Sequence, residues 1–396
     1  MKKKIFCTLF FTSLKSFGSI VFSLFLISVY GHEEHVKFME HISLLLLASL
    51  MSRMASEQAI LKHGYHLLNI DESHFRDFLN GVFSRVIISS TILGFVLFIY
   101  TDYFLDVFFV PLVSVSYLYI SIIGVKGKAE FSSILEVGFS FLLTMIISFL
   151  LNLNFEIIYY SLFFSWLIVI LVCYAFYPVK FKFSFFFKES RASYIDYFYR
   201  IPLLSLNSFL NYFTNWGVIL ISTIIYSDQM ASDFTLAIRV CACFNVIMAA
   251  ITAFVSPQIR NKLDQGVSTL NEYFSKFRSV YFYSGFSAYI LLYIFMILLN
   301  SYVQSVPYID IYTVMIIAFG YAFNVATGPK SMAMVLVGEE KLLLIIRVLA
   351  ILFLILGIIL LDSKLFVFSF SLYLVVQSIM IIYMIKIKRK VSVTYL

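Results

Sequence analysis

The stretch VFSRVIISSTILGFVLFIYTDYFLDVFFVPLVSVSYLYISII (Val82–Ile123) decides the fold. It holds two apolar runs, 82–100 and 104–123, separated only by Thr101, Asp102 and Tyr103. Each run is close to the roughly 20 residues that an α-helix needs to cross a bilayer. Neither alternates apolar and polar positions, so a transmembrane β-strand is excluded. The pair reads as two membrane helices joined by a tight turn.

The same pattern repeats outward in both directions. Apolar windows predict spans at 6–30, 41–60, 82–100, 104–123, 131–151, 156–178, 201–226, 234–256, 279–299, 307–328, 342–361 and 365–385. Twelve closely connected helices use the whole chain of 396 residues and leave no room for a sizeable soluble domain. The composition agrees: 61% hydrophobic and 13% charged, with mean hydropathy +0.94. A soluble domain is about 45–50% apolar and about 25% charged, so a water-soluble enzyme is excluded.

Lys2, Lys3 and Lys4 precede the first run, as in a signal peptide. Lys15 interrupts that run, however, and no small-residue cleavage site follows, so the segment reads as an uncleaved first helix. The net charge is +7, but the basic residues sit singly or in small groups between apolar runs. That distribution serves membrane topology and gives no basis for a nucleic-acid partner. With the amino terminus inside, only Lys37 and Lys364 of the 29 Lys and Arg fall in outer loops. Lys15 and Arg239 lie within spans, and the rest fall in cytoplasmic loops or at cytoplasmic helix ends. Both termini are therefore expected in the cytoplasm.

Loop lengths divide the chain. The longest outer connection is expected at Gly31–Glu40, with His32-Glu33-Glu34-His35 as a solvated turn rather than a metal motif. The long connections, Leu61–Asn80, Val179–Arg200 and Ser256–Arg278, are all inside. The basic, aromatic VKFKFSFFFKESRASYIDYFYR (Val179–Arg200) follows the sixth span and suits contact with anionic head groups. The expected organisation is an amino-terminal six-helix half (1–178), a cytoplasmic linker (179–200) and a carboxy-terminal six-helix half (201–396).

Soluble-type chemistry is missing from the sequence. There is no Walker-type phosphate loop, G-x-S-x-G elbow, H-E-x-x-H pair or dinucleotide fingerprint. Cys7, Cys173, Cys241 and Cys243 lie in apolar runs and form no disulfide framework or metal spacing. No cofactor or metal is expected. The roles left are transporter, channel or intramembrane transferase.

Polar residues within spans then carry the functional reading. The first span has Thr8, Thr12, Lys15, Ser16, Ser19 and Ser23 on one face, and the seventh has Asn207, Asn211 and Asn215 spaced by four. Such stripes face a wet cavity or bond neighbouring helices. Lys15 either snorkels to the cytoplasm or faces the cavity. Arg239 lies in the eighth span with no acid at helical spacing; it suits an anionic group such as phosphate, or a structural partner on another helix. Arg53 and Glu57, at i and i+4, are expected to pair. Glu136 is a lone carboxylate near the inner leaflet, either a coupling-ion site or an interfacial acid.

Three stretches resemble a known family: FTLAIRVCACFNVIMAAITAFVSPQIRNKLDQG (234–266), GVKGKAEFSSILEVGFSFL (124–142) and NVATGPKSMAMVLVGEEKLLLIIRV (324–348). Together with the two six-helix halves, they are similar to the O-antigen flippases and polysaccharide exporters of the multidrug/oligosaccharidyl-lipid/polysaccharide exporter superfamily. The resemblance implies a V-shaped, alternating-access helical bundle whose first, second, seventh and eighth spans line a central cavity. It implies a cargo of undecaprenyl-pyrophosphate-linked repeat units, moved from the inner to the outer leaflet of the bacterial inner membrane. A polymerase and a chain-length regulator of the same pathway would be partners. The rival readings are an O-antigen polymerase, which would carry a large periplasmic loop with arginines, and a multidrug exporter of the same superfamily, which would carry more acids within its spans.

Overall fold

The computed structural model describes all residues except 1, 55, 58, 61–66, 68–71, 127–136, 152–154, 177, 179–190, 249–250, 252–266, 303–309, 330, 332–333, 335–338, 361–364 and 395–396. Glu136 and positions 179–190 of the expected linker lie outside the described residues, as do 61–66, 68–71 and 256–266 of the other two long inner connections.

Every regular element among the described residues is helical: α1 (Lys2–Tyr30), α2 (His32–Arg53), α3 (Glu72–Thr101), α4 (Asp106–Val125), α5 (Val137–Leu151), α6 (Phe155–Phe176), α7 (Arg191–Tyr212), α8 (Val218–Ile225), α9 (Asp228–Cys241), α10 (Val267–Tyr302), α11 (Ile311–Thr327), α12 (Glu340–Leu360) and α13 (Phe366–Thr394). A π-helical turn, Phe213–Gly217, joins α7 to α8 in one continuous rod. The elements thus form twelve rods, one at each expected span. Only helices or closed barrels satisfy every backbone N–H and C=O in hydrocarbon, which is why runs of this apolarity resolve as helices. Seven are long and apolar enough to cross a membrane, and three shorter apolar helices accompany them. Exposed Ile99, Phe149, Leu150 and Ile224 belong to the surface that lipid would cover. The chain is an all-helical, multi-pass membrane protein.

Several boundaries differ from expectation: α3 begins at Glu72, α7 at Arg191 and α10 at Val267, each inside an expected inner connection, and α2 begins early as well. Residues 32–40 are not a loop: α2 begins at His32, immediately after Gly31 with φ 90°. Glu33 and Glu34 sit in its first turn, where carboxylates complement the helix dipole. Lys37 pairs with Glu33 one turn on, at 2.7 Å. The polar sequence shortens the apolar window but supports a helix start, so hydropathy alone places the boundary too late.

The chain parts into two compact units, Phe6–Ile224 and Ile225–Leu396 with Met1–Ile5. The division falls after the rod formed by α7 and α8. In the first unit α3 packs along α4, α2 touches both, and α6 packs on α4 and α5. Its core includes Phe75, Phe78, Phe83, Leu118, Ile122 and Cys173. A second cluster joins α1, α2, α5 and α6: Phe22 stacks on Phe141 at 4.8 Å and Phe38 on Tyr159 at 5.2 Å. Tyr212 of α7 donates its hydroxyl proton to the Ser43 carbonyl of α2 at 2.5 Å, tying the seventh rod to this unit.

In the second unit α11 is central, packing on α9, α10 and α13, while α12 packs on α13. Small residues set these crossings. A Cβ at Gly285 would lie 2.5 Å from the Ala322 carbonyl oxygen, so only glycine allows α10 to approach α11 this closely. Asp310 caps α11, accepting from the backbone N–H groups of Tyr312 and Thr313 at 3.1 Å each. At the other end Gly328 adopts φ 77°, a conformation that glycine takes without a Cβ penalty.

Candidate functional site

The second unit holds Arg239 inside the bundle. It lies near the end of α9, only 7% exposed. The Tyr321 hydroxyl of α11 is within its electrostatic reach, and Tyr321 also interacts with Cys241 and Tyr373. Tyr373 of α13 is in turn within reach of Arg347 on α12. Phe370 packs beside both tyrosines, with centroids 6.4 Å and 6.0 Å away. Arg239 thus shares its electrostatic surroundings with Tyr321, and Arg347 with Tyr373. Guanidinium forks and phenolic hydroxyls are donors suited to phosphate oxygens. Arg347 was not legible as a member, because its position near the inner end of a span looks like an ordinary topology residue.

The expected asparagine stripe belongs to the first unit. Asn207 is buried at 5% exposure, whereas Asn211 is exposed. Asn215 is half-buried and lies inside the π-helical turn. The extra residue of that turn breaks the spacing of four as an angular measure. Asn207 Nδ2 donates to the Leu203 carbonyl at 3.2 Å, and Asn215 Nδ2 donates to the Asn211 carbonyl at 2.9 Å. These amides serve their own helix with their N–H groups. On α1, Ser19 and Ser23 are buried, and neither hydroxyl finds a hydrogen-bond partner among the described residues. Lys15 lies on the same helix. Of the expected site residues the structure directly links only Asn211 and Asn215; Arg239 belongs to the other unit.

A cluster that sequence reading did not single out lies between α2, α4 and α6. His41 Nε2 and Asp106 Oδ1 are 3.0 Å apart, with side-chain exposures of 7% and 1%. Thr101 Oγ1 contacts Asp106 Oδ2 at 2.6 Å. The His41 ring is flanked edge-on by Tyr103 at 5.0 Å and Tyr159 at 4.9 Å. Both His41 and Asp106 fall at the starts of expected spans, which offered a signal, but only contact between non-adjacent helices makes them a pair.

A third polar group lies toward the end of α2. Ser114 Oγ contacts Ser49 Oγ at 3.0 Å and Ser52 Oγ at 2.9 Å. Arg53 pairs with Glu57, as the spacing predicts, and donates from Nε to the Ser49 carbonyl. Its guanidinium also sits 4.1 Å over the Tyr117 ring. Glu57, the Ser49 carbonyl and the Tyr117 ring use this cation structurally. Arg85 of α3 donates to Ser56 from its other side, at 2.5 Å.

No group of three or more metal-ligating side chains occurs among the described residues. No family model matches the sequence. No curated protein matches it. Solved structures do match. An inward-facing multidrug resistance MATE family transporter of the MOP superfamily superposes with TM-score 0.62 at 16% identity, covering 93% of this chain and 92% of that one. A MATE protein in complex with MaD3S gives TM-score 0.58 at 16% identity, covering 96% and 94%. The eukaryotic MATE transporter AtDTX14 gives 0.56 at 13% identity, covering 97% and 93%. The similarity extends over nearly the whole of each chain. The fold is that of the MATE transporters of the MOP superfamily.

Proposed function

We propose that this protein is a membrane transporter that flips lipid-linked polysaccharide repeat units from the inner to the outer leaflet of a bacterial inner membrane. The observation that carries this reading is Arg239, a cation buried in a membrane helix within electrostatic reach of the Tyr321 hydroxyl. A charge at mid-helix costs roughly 2.5–3.5 kcal/mol on insertion scales, so such residues mark substrate pathways. A pyrophosphate is the anionic part of the proposed cargo. The amides of the seventh rod and the buried hydroxyls of α1 offer partners for sugar hydroxyls, while the polyprenyl tail stays in lipid.

The multidrug resistance transporter among the structural neighbours supports a second reading, export of small amphipathic compounds. For cationic drugs such a protein would use carboxylates within its spans. Asp106 is the single buried carboxylate among the described residues, and His41 and Thr101 already engage it. We therefore favour the anionic cargo. Deleting the gene in a strain with no second flippase should stop surface polysaccharide and leave repeat units on the inner leaflet. Normal long-chain polymer would refute the reading. Single repeats that reach the surface unpolymerised would point to a polymerase, and sensitivity to cationic dyes with normal polymer would point to drug export.

A further inference from the structure

We propose that Arg85 and the apolar face of α3 beyond it bind an anionic phospholipid of the inner leaflet. The guanidinium holds the phosphate, and an acyl chain runs along the helix. The site lies within the first unit and does not depend on which cargo the protein moves.

A guanidinium carries five N–H donors and accepts nothing. Among the described residues Arg85 spends one of them, from Nη2 to Ser56 Oγ at 2.5 Å. Its Nε–H is buried and meets no acceptor there. Glu57, beside Ser56, is taken by Arg53, and no ion pair of the described residues includes Arg85. The nearby hydroxyls serve α2 instead. Ser56 donates to the Arg53 carbonyl, and Ser89, one turn along α3, reaches the Ser52 carbonyl at 2.8 Å. Those carbonyls lie at the end of α2, which Met54 closes in a left-handed conformation at φ 42°. Arg85 is thus left with unused donors and an uncancelled charge. A buried charged donor without an acceptor is costly, and an ionised phosphate oxygen fits the planar fork.

Depth and helical face give the rest of the ligand. The apolar run of α3 starts at residue 82, at its inner end, so Arg85 lies only roughly 5 Å inside it at 1.5 Å per residue. Side chains on a helix tilt toward its N-terminus, which for α3 is the cytoplasmic end, where the head groups lie. Ile88, Ile92, Phe95 and Ile99 follow Arg85 at spacings of three and four, on one face, and all four are exposed. One leaflet's hydrocarbon is about 15 Å deep, half of the bilayer core. A helix covers that depth in about ten residues, which takes the face from Arg85 to Phe95. The arginine therefore stands at the head of an apolar track one acyl chain long.

Charge selects the head group. In phosphatidylglycerol the phosphate is the only ionised group, and its single negative charge matches the single charge of Arg85. Phosphatidylcholine offers the same phosphate oxygens but brings an ammonium that already neutralises them. Inorganic phosphate offers the oxygens without a chain for Ile88, Ile92 and Phe95 to cover. The site should therefore rank phosphatidylglycerol first, and both the charge and the chain should matter.

The test is native mass spectrometry of the purified full-length protein, released from phosphatidylcholine nanodiscs that carry a titrated fraction of phosphatidylglycerol. Wild type should retain one phosphatidylglycerol that Arg85→Gln holds about tenfold more weakly. Ile88→Glu places a carboxylate one turn from Arg85 at an exposed position, and should weaken retention similarly while leaving the arginine in place. If Arg85→Gln fails to insert, Ile88→Glu carries the comparison. Lys37→Ala removes an equal charge from the outer end of α2 and should change nothing. Equal retention by wild type and Ile88→Glu, or by wild type and Arg85→Gln, overturns the site. A loss in Lys37→Ala as large as in Arg85→Gln overturns it too, since net charge alone would then explain retention. Phosphatidylcholine retained as well as phosphatidylglycerol overturns the head-group assignment. Displacement of the lipid by inorganic phosphate overturns the lipid and leaves a soluble-anion site. A protein that prefers phosphatidylglycerol through Arg85 but flips no cargo overturns the transport reading alone.

Discussion

The two compact units differ in the buried polar contacts that their described residues make. In the first, His41 meets Asp106 and Thr101, Arg53 meets Glu57 and Tyr117, and Ser114 bridges Ser49 and Ser52. His41 and Arg53 there meet carboxylates over short distances. In the second, Arg239 interacts electrostatically with Tyr321, and Arg347 with Tyr373. The first arrangement suits rigid helix joints. The second holds the guanidinium that the proposed anionic cargo would meet.

The contrast predicts its largest effect at Arg239. Hydrogen bonds to charged groups are worth about 1.5–3 kcal/mol, so Arg239→Ala should cut export by about 10- to 100-fold at normal protein level. Arg239→Lys keeps charge without the planar fork and should retain partial function. A fall in protein level, restored by removing a partner acid, would instead make Arg239 structural. Normal export by stable Arg239→Ala would dissolve the contrast.

Next in size is a packing effect confined to the second unit. Gly285→Val should force α10 from α11 and lower stability by about 1–3 kcal/mol, read from thermal unfolding in detergent. An unchanged melting temperature would mean that this crossing is looser than the 2.5 Å approach indicates. In the first unit Ser114→Ala removes one hydroxyl from a chain of three and should cost about 0.6 kcal/mol, typical of side-chain bonds in membranes. The Asn stripe should respond similarly: Asn207→Ala alone should weaken export slightly, and a double change with Asn211 should be clearly worse.

The smallest effect lies at the start of α2. The hydrogen bond from Lys37 holds the Glu33 carboxyl below its ordinary range, and Glu33 holds the Lys37 ammonium above its own. For Glu33 the folded value is the depressed one. Its contribution is therefore present above the ordinary carboxylate range and is lost as pH falls through the lowered value. Both groups are exposed, so Lys37→Ala should return the Glu33 titration toward normal without measurable change in unfolding. A clear loss of stability would show that this turn is more than a solvated helix start.

These effects also separate what the sequence discloses from what it hides. Helix positions were legible because an apolar run in lipid must satisfy its own backbone, and each of the twelve expected spans overlaps a rod among the described residues. The start of α2 was not, since hydropathy is blind to a polar turn held by Glu33 and Lys37. Arg239 was legible as a charge inside an apolar run. His41 with Asp106 was not, because residues 65 positions apart meet only through helix packing. The Asn stripe was half legible: the spacing was visible, but nothing local announces the π-helical turn that rotates Asn215.

The most direct measurement of the central claim is reconstitution. Purified protein would be placed in vesicles with a polyprenyl-pyrophosphate-linked oligosaccharide, and the glycan's exposure followed with a membrane-impermeant reagent. Wild-type vesicles should expose the inner-leaflet pool at a rate that Arg239→Ala lowers at least about tenfold. Exposure no faster than in protein-free vesicles, or equal for both proteins, would contradict the account.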